Sequence, residues 1–96
     1  MTDALPDDLL NAPIPESVAS ALDERGLLCP LPIVHLSTAL RRATPGEILL
    51  VEATDEGFFP DLLRWIRVRP HRVVALRIEP GEPELYRAWV EAQPPV

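Results

Sequence analysis

The sequence predicts an α/β (α+β) chain: a two-layer sandwich with element order β-α-β-α-β-β. Its four strands would form one mixed sheet carrying two helices on a single face. Three observations carry this. Two stretches repeat apolar residues at three- and four-residue spacing, each following an apolar run short enough to be a strand. Pro-Gly pairs fall between the stretches rather than inside them. Near the C-terminus, alternation of side chains between two faces replaces the helical spacing on both sides of Pro80-Gly81.

The first strand is expected over residues 18–22, with Asp23-Glu24-Arg25-Gly26 turning the chain toward Cys29. Residues 33–43 then read as an amphipathic helix in which Ile33, Leu36, Leu40 and Ala43 form the buried stripe. His35, Thr38, Arg41 and Arg42 fall on its outer side, and Thr44-Pro45-Gly46 ends it. Residues 47–52 are apolar without alternation, the pattern of a strand buried on both faces. A second strand-to-helix loop, Ala53-Thr54-Asp55-Glu56-Gly57, offers Thr54 or Asp55 as a helix cap. Phe59, Leu62, Leu63 and Ile66 stripe a helix over 59–68, with Trp65 widening the stripe and Pro60 in its first turn. Residues 72–78 alternate as a strand, and Tyr86, Ala88 and Val90 mark the last strand over 85–91.

Around this body lie a proline-rich acidic leader, expected to be flexible over residues 1–18, and a C-terminal tail over 93–96. The folded domain is expected over 19–92. The net charge of −6 belongs to the first 24 residues, which carry six acids and no basic residue. The rest is balanced, with nine Arg against nine acids. No basic excess is available for phosphate neutralisation, so direct nucleic-acid binding is disfavoured. The longest strongly apolar run, residues 48–51, is far too short to cross a membrane. The acidic N-terminus lacks the pattern of a secretory signal, and a cytoplasmic location is expected.

Residue counts narrow the chemistry further. All nine basic residues are Arg, which excludes P-loop and Schiff-base lysines. A single cysteine excludes an internal disulfide and a CxxC redox pair. With His35 and His71 as the only histidines, a Cys/His metal site is not expected, and no cofactor is called for.

What remains is Arg25-Gly26-Leu27-Leu28-Cys29-Pro30-Leu31-Pro32. It sets the only thiol at a strand-to-helix junction, and two prolines fix the helix start. A free cysteine between apolar residues is usually a small core residue. A core residue, however, needs neither proline. At a helix N-terminus the thiol would face unpaired N–H groups and the positive end of the dipole, which favour thiolate.

The chain resembles the TusA/SirA-like sulfur-carrier family from about Ala21 to Val90. The likeness rests on Leu22-Asp23-x-Arg25-Gly26-Leu27-x-Cys29-Pro30-x-Pro32, then Ala39-Leu40, Gly46-Glu47, Ala53-Thr54-Asp55-x-Gly57 and Asp61-x-x-x-Trp65. The resemblance implies a small two-layer βαβαββ protein. It also implies that Cys29 accepts sulfane sulfur as a persulfide from a cysteine desulfurase or rhodanese-type donor and relays it to an acceptor protein. Such acceptors serve tRNA thiolation, molybdenum-cofactor enzymes or sulfur oxidation. Arg25, Gly26, Pro30 and Pro32 would shape the site, and Asp55 and Asp61 match acidic family positions near it. Glu56 stands where many members have Pro, and Pro70 where Gly often precedes the histidine. The activity implied is a covalent relay rather than small-molecule turnover. Two other readings stand beside it: a non-catalytic regulatory or interaction module of the same fold, and a thiol enzyme. The latter lacks a resolving Cys and any evident His–Asp arrangement.

Overall fold

A computed structural model of the protein describes residues 5–94. Residues 1–4 of the expected leader and 95–96 of the expected tail lie outside the described residues. The elements are α1 (Asp7–Leu10), β1 (Ser20–Glu24), α2 (Leu31–Arg42), β2 (Ile48–Ala53), α3 (Phe58–Ile66), β3 (Arg72–Glu79) and β4 (Leu85–Glu91). The strands form one mixed sheet ordered β1-β2-β4-β3. β1 and β2 are parallel, which requires a crossover, and α2 supplies it. The other two pairings are antiparallel.

α2 and α3 cover one face of the sheet. Ile33, Leu36 and Leu40 from α2 and Phe58, Phe59 and Leu62 from α3 are buried against Leu49, Val51, Leu76, Ala88 and Val90 of the strands. Phe59 meets Tyr86 edge-on, with ring centroids 5.2 Å apart. The unbroken apolar run of β2 suggests two covered faces, but the helical layer is one-sided. Burial in β2 therefore alternates: Leu49, Val51 and Ala53 are buried, while Ile48, Leu50 and Glu52 are only partly covered.

β1 begins and ends two residues later than expected. Its parallel register against β2 runs from Ser20 opposite Leu49 to Glu24 opposite Ala53. Two-residue alternation then places Ser20, Leu22 and Glu24 on the helical face. Glu24, expected in a turn, is therefore the last strand residue and is buried.

The expected flexible leader contains a short helix docked on the sheet. Arg77 of β3 stands opposite Arg87 of β4, which puts both on the face away from α2 and α3. The Arg77 guanidinium donates through Nη1 to the carbonyls of Leu9 (3.3 Å) and Leu10 (2.7 Å), and through Nη2 to that of Ala12. Leu5, Leu9 and Leu10 pack against the hydrophobic core as partly buried residues. Carbonyls at the end of a helical turn lack full intrahelical pairing, and one arginine fork gathers those of Leu9 and Leu10 with that of Ala12 just beyond the turn. The same sheet face carries Trp89, 3% exposed, with the Arg87 guanidinium stacked 5.2 Å from its ring centroid.

Candidate functional site

The site is built where two strand-to-helix loops meet: residues 25–30, between β1 and α2, and residues 54–57, between β2 and α3. Parallel β1 and β2 end side by side, so the loops leaving them are neighbours in space. Gly26 turns the first loop with φ +82°, a left-handed value that suits glycine. Its N–H donates to Thr54 Oγ1 at 2.9 Å. The Cys29 N–H donates to Asp55 Oδ2 at 2.6 Å. The other carboxylate oxygen of Asp55 accepts from the Gly57 N–H (3.2 Å), and the Asp55 carbonyl accepts from Phe58 N–H (3.0 Å). One aspartate thus ties the cysteine loop to the start of α3. The approach is close: a Cβ placed on Gly57 would stand 3.8 Å from Cys29 Cβ.

Cys29 is half-buried and forms no disulfide. Its peptide bond to Pro30 is cis. Pro30 is the N-cap of α2, Leu31 the first helical residue and Pro32 the second, so α2 begins two residues before the expected Ile33 and the prolines sit two positions further into it. Pro32 is buried, and Pro30 is exposed. The first turn of α2 does not offer the unpaired donors that the sequence suggests. Leu31 N–H donates to Leu28 O, and the N–H groups of Ile33 and Val34 both donate to Pro30 O, each at 3.0 Å. The two prolines contribute none. No hydrogen bond reaches the Cys29 sulfur among the described residues.

Arg25 and Asp61 both turn their charges elsewhere. Arg25 forks onto Asp23, with Nε–Oδ1 2.8 Å and Nη2–Oδ2 2.9 Å, both side chains being exposed. That hydrogen-bonded pairing lowers the Asp23 pKa to about 2 and raises that of Arg25. Asp61 lies in the first turn of α3, and its carboxylate accepts from Arg64 Nη2 at 2.6 Å. The structure brings Gly26, Cys29 and Asp55 together, with Thr54 and Gly57 as additional members.

A second pair is not apparent from the sequence. The Glu24 carboxylate, 6% exposed, lies 2.5 Å from His35 Nδ1 on α2, and the imidazole is half exposed. The pair joins the residues on either side of the Cys29 loop. Alternation with Leu22 would place Glu24 inward, but its charge argues for a turn.

Beside the cysteine loop opens a cleft of about 520 Å³. It is lined by Leu27 and Leu28 of the cysteine loop, by Asp55 and Glu56, and by Glu84 and Tyr86. The Tyr86 hydroxyl donates to Glu84 Oε1 at 3.0 Å. Its pKa is raised, first by burial, then by that hydrogen bond and by the charges of Glu84, Glu56 and Asp55. Among the described residues, no group of three or more His, Cys, Asp or Glu side chains is arranged to hold a metal ion, and no helix is long and apolar enough to cross a membrane.

Comparison with known proteins bears on the same segment. The family model described as Sulfurtransferase TusA matches residues 20–91. YrkI of Bacillus subtilis is 34% identical over 70 residues, which cover 73% of this chain and 89% of YrkI. The sulfur carrier protein TusA of Pseudomonas aeruginosa is 34% identical over 74 residues, covering 77% of this chain and 90% of the relative. YrkF of Bacillus subtilis is 36% identical over 58 residues, which span 60% of this chain and only 31% of that longer protein.

Proposed function

The chain belongs to the Sulfurtransferase TusA family, and on that premise we propose that it is a sulfur carrier whose Cys29 holds sulfane sulfur as a persulfide between two protein partners. The observation that carries the reading is Cys29 itself. It is the only thiol in the chain, half-buried at the meeting of two loops, with its backbone fixed by Asp55 and, among the described residues, no hydrogen bond on its sulfur.

In loading, the Cys29 thiolate attacks the terminal sulfur of a donor persulfide. The donor's S–S bond breaks, a new S–S bond forms on Cys29 Sγ, and the donor leaves as a thiolate. In delivery, an acceptor thiolate attacks the terminal sulfur on Cys29 and Cys29 departs. Each step exchanges one S–S bond for another, so no external oxidant or reductant is consumed. With one cysteine, the loaded sulfur cannot be resolved internally and must go to an outside thiol. Donors of the cysteine desulfurase or rhodanese type fit the first step, and a reducing cytoplasm is the compartment that keeps such a thiol free.

Gly26 and Thr54 hold the start of the cysteine loop, Asp55 its middle, and Pro30 and Pro32 the helix that follows. We assign these residues to shaping the site, and Cys29 alone to covalent chemistry. Asp61 and Arg25, engaged with Arg64 and Asp23, have a supporting role at the loop ends.

The test is sulfur loading followed by intact-protein mass spectrometry. Incubation with a cysteine desulfurase and isotopically labelled cysteine should add one labelled sulfur to the parent and none to Cys29→Ser. Labelled sulfur on a folded Ser variant would end the proposal.

A further inference from the structure

A carrier must be recognised by its partners, and the cleft beside Cys29 has the features of the recognition surface. Leu27 and Leu28 belong to the cysteine loop itself, so whatever fills the cleft lies against that loop. Leu28, a large apolar side chain, is 73% exposed. The lining also carries the carboxylates of Asp55, Glu56 and Glu84, and among the described residues no basic side chain lines the cleft. These acids come from two separate loops, and the Tyr86 hydroxyl in the same cleft donates to Glu84, its pKa raised by burial, by that bond and by all three charges. That is charge of one sign beside exposed apolar surface. Glu56 and Glu84 are exposed and form no ion pair among the described residues, whereas Glu52 and Glu79 are paired with Arg87, and Asp61 with Arg64.

Resting on the carrier reading above, we propose that this cleft docks a basic, leucine-bearing segment of the protein partner. The partner's arginine or lysine side chains would meet Glu56 and Glu84 while an apolar side chain covers Leu28, bringing the partner thiol to Cys29. Charge complementarity selects this occupant. An acidic segment would face three carboxylates, and like charges brought together across an interface disfavour the wrong partner. A neutral apolar segment would leave the carboxylates desolvated without partners.

The test uses two fluorescent peptides, one carrying the run Arg-Leu-Arg-Cys and the other Glu-Leu-Glu-Cys, with the full chain and with a Glu56→Arg, Glu84→Arg variant. Binding to the unloaded protein is read by anisotropy at low and high salt. The parent should favour the basic peptide by about tenfold or more at low ionic strength, a preference that salt should shrink. The double variant should lose or reverse it while keeping the parent's circular-dichroism spectrum, and Glu56→Arg alone, which leaves the Tyr86–Glu84 hydrogen bond in place, should weaken it in the same direction. Equal binding of both peptides to the parent, or an undiminished basic preference in the variant, overturns the docking proposal. In a separate arm, inorganic polysulfide loads Cys29: the Cys29 thiol and hydrogen disulfide give the Cys29 persulfide and hydrogen sulfide. Transfer to the peptide thiols is then timed, and faster delivery to the basic peptide is expected. Failure of Cys29 to take up or release sulfur there counts against the carrier reading, whereas the binding arm judges the cleft regardless.

Discussion

Arg77→Ala should destabilise the whole domain by releasing the N-terminal strap. The side chain is partly buried and donates to three leader carbonyls, at Leu9, Leu10 and Ala12. A hydrogen bond from a charged donor is worth about 1.5–3 kcal/mol net, but the three share one guanidinium and are not additive. Ordering the strap also costs roughly 1–2 kcal/mol of backbone entropy per residue, opposed by partial burial of Leu5, Leu9 and Leu10. Once the strap has let go, nothing further is lost, so the net free energy of docking sets a ceiling on the effect. Removing Arg77 also relieves its like-charge neighbour Arg87, a gain of a few tenths of a kcal/mol, about 0.2–0.5. We expect a loss of about 2 kcal/mol in urea unfolding, and a melting temperature lower by about 8–16 °C for a domain of this size. The decisive assay is a double-mutant cycle with a chain lacking residues 1–13. Arg77→Ala and the truncation should each produce most of the loss, and together hardly more than either alone. Fully additive losses would refute the strap mechanism, and so would a truncated chain as stable as the parent.

Three further expectations follow from the geometry. Asp55→Ala removes the acceptor for both Cys29 N–H and Gly57 N–H; it should cost about 1–3 kcal/mol and slow sulfur loading of Cys29, with Asp55→Asn recovering part of each, and wild-type loading kinetics in the Ala variant would contradict the tie. His35→Phe strands the buried Glu24 carboxylate and should cost about 1–3 kcal/mol in urea unfolding, which the double change Glu24→Gln, His35→Phe should partly restore; an equal or larger loss in the double variant argues against the pair. The pKa of His71 is lowered by burial and by Arg69, and its Nδ1 accepts the Gln93 N–H at 3.0 Å. The folded state therefore resists protonation, so the unfolded chain binds more protons below an ordinary histidine pKa of about 6.5. Stability should be unaffected by this group above that pH and should fall as pH drops below it. Urea midpoints of the parent and His71→Gln between pH 7 and pH 5 should diverge with acidification; parallel curves exclude His71 as the cause.

Much of the architecture is legible in the sequence because burial follows period. Leu36 and Leu40 on α2, Phe59 and Leu62 on α3, and Tyr86, Ala88 and Val90 on β4 are core residues that spacing alone identifies. Residues whose environment comes from distant partners are not legible in this way. Glu24 is inward because β1 pairs with β2 in a register that its own charge disguises. Trp89 is buried on the face that alternation assigns to polar side chains, among charged neighbours such as Arg87. The docked strap depends on a residue 65 to 68 positions away, and the proline-rich acidic composition of the leader suggests the opposite. In the site, the Cys-Pro-x-Pro run marks Cys29, but nothing local reveals that Thr54 and Asp55 hold its loop.

The hydrogen bonding of α2 changes the physical account of the cysteine. A helix N-terminus can hold an anion when its N–H groups point at it. Here the first-turn donors are committed to Leu28 O and Pro30 O, and Pro30 and Pro32 have none to give. What remains for the sulfur is the general field of the helix, worth about 0.3–1 kcal/mol at a partly exposed position, rather than a set of directed bonds. For an enzyme stabilising a transient charge this would be a weakness. For a carrier it is the appropriate balance. Each directed bond to a persulfide anion would stabilise the loaded ground state, and any part of it not retained in the transition state would raise the barrier to hand-over. The prolines hold the shape of the loop while withholding donors, and Asp55 fixes the Cys29 backbone through its N–H while leaving Sγ free. A fixed backbone and a sulfur without a hydrogen bond among the described residues are thus two effects of one local sequence, and together they suit the proposed uptake and release of sulfur.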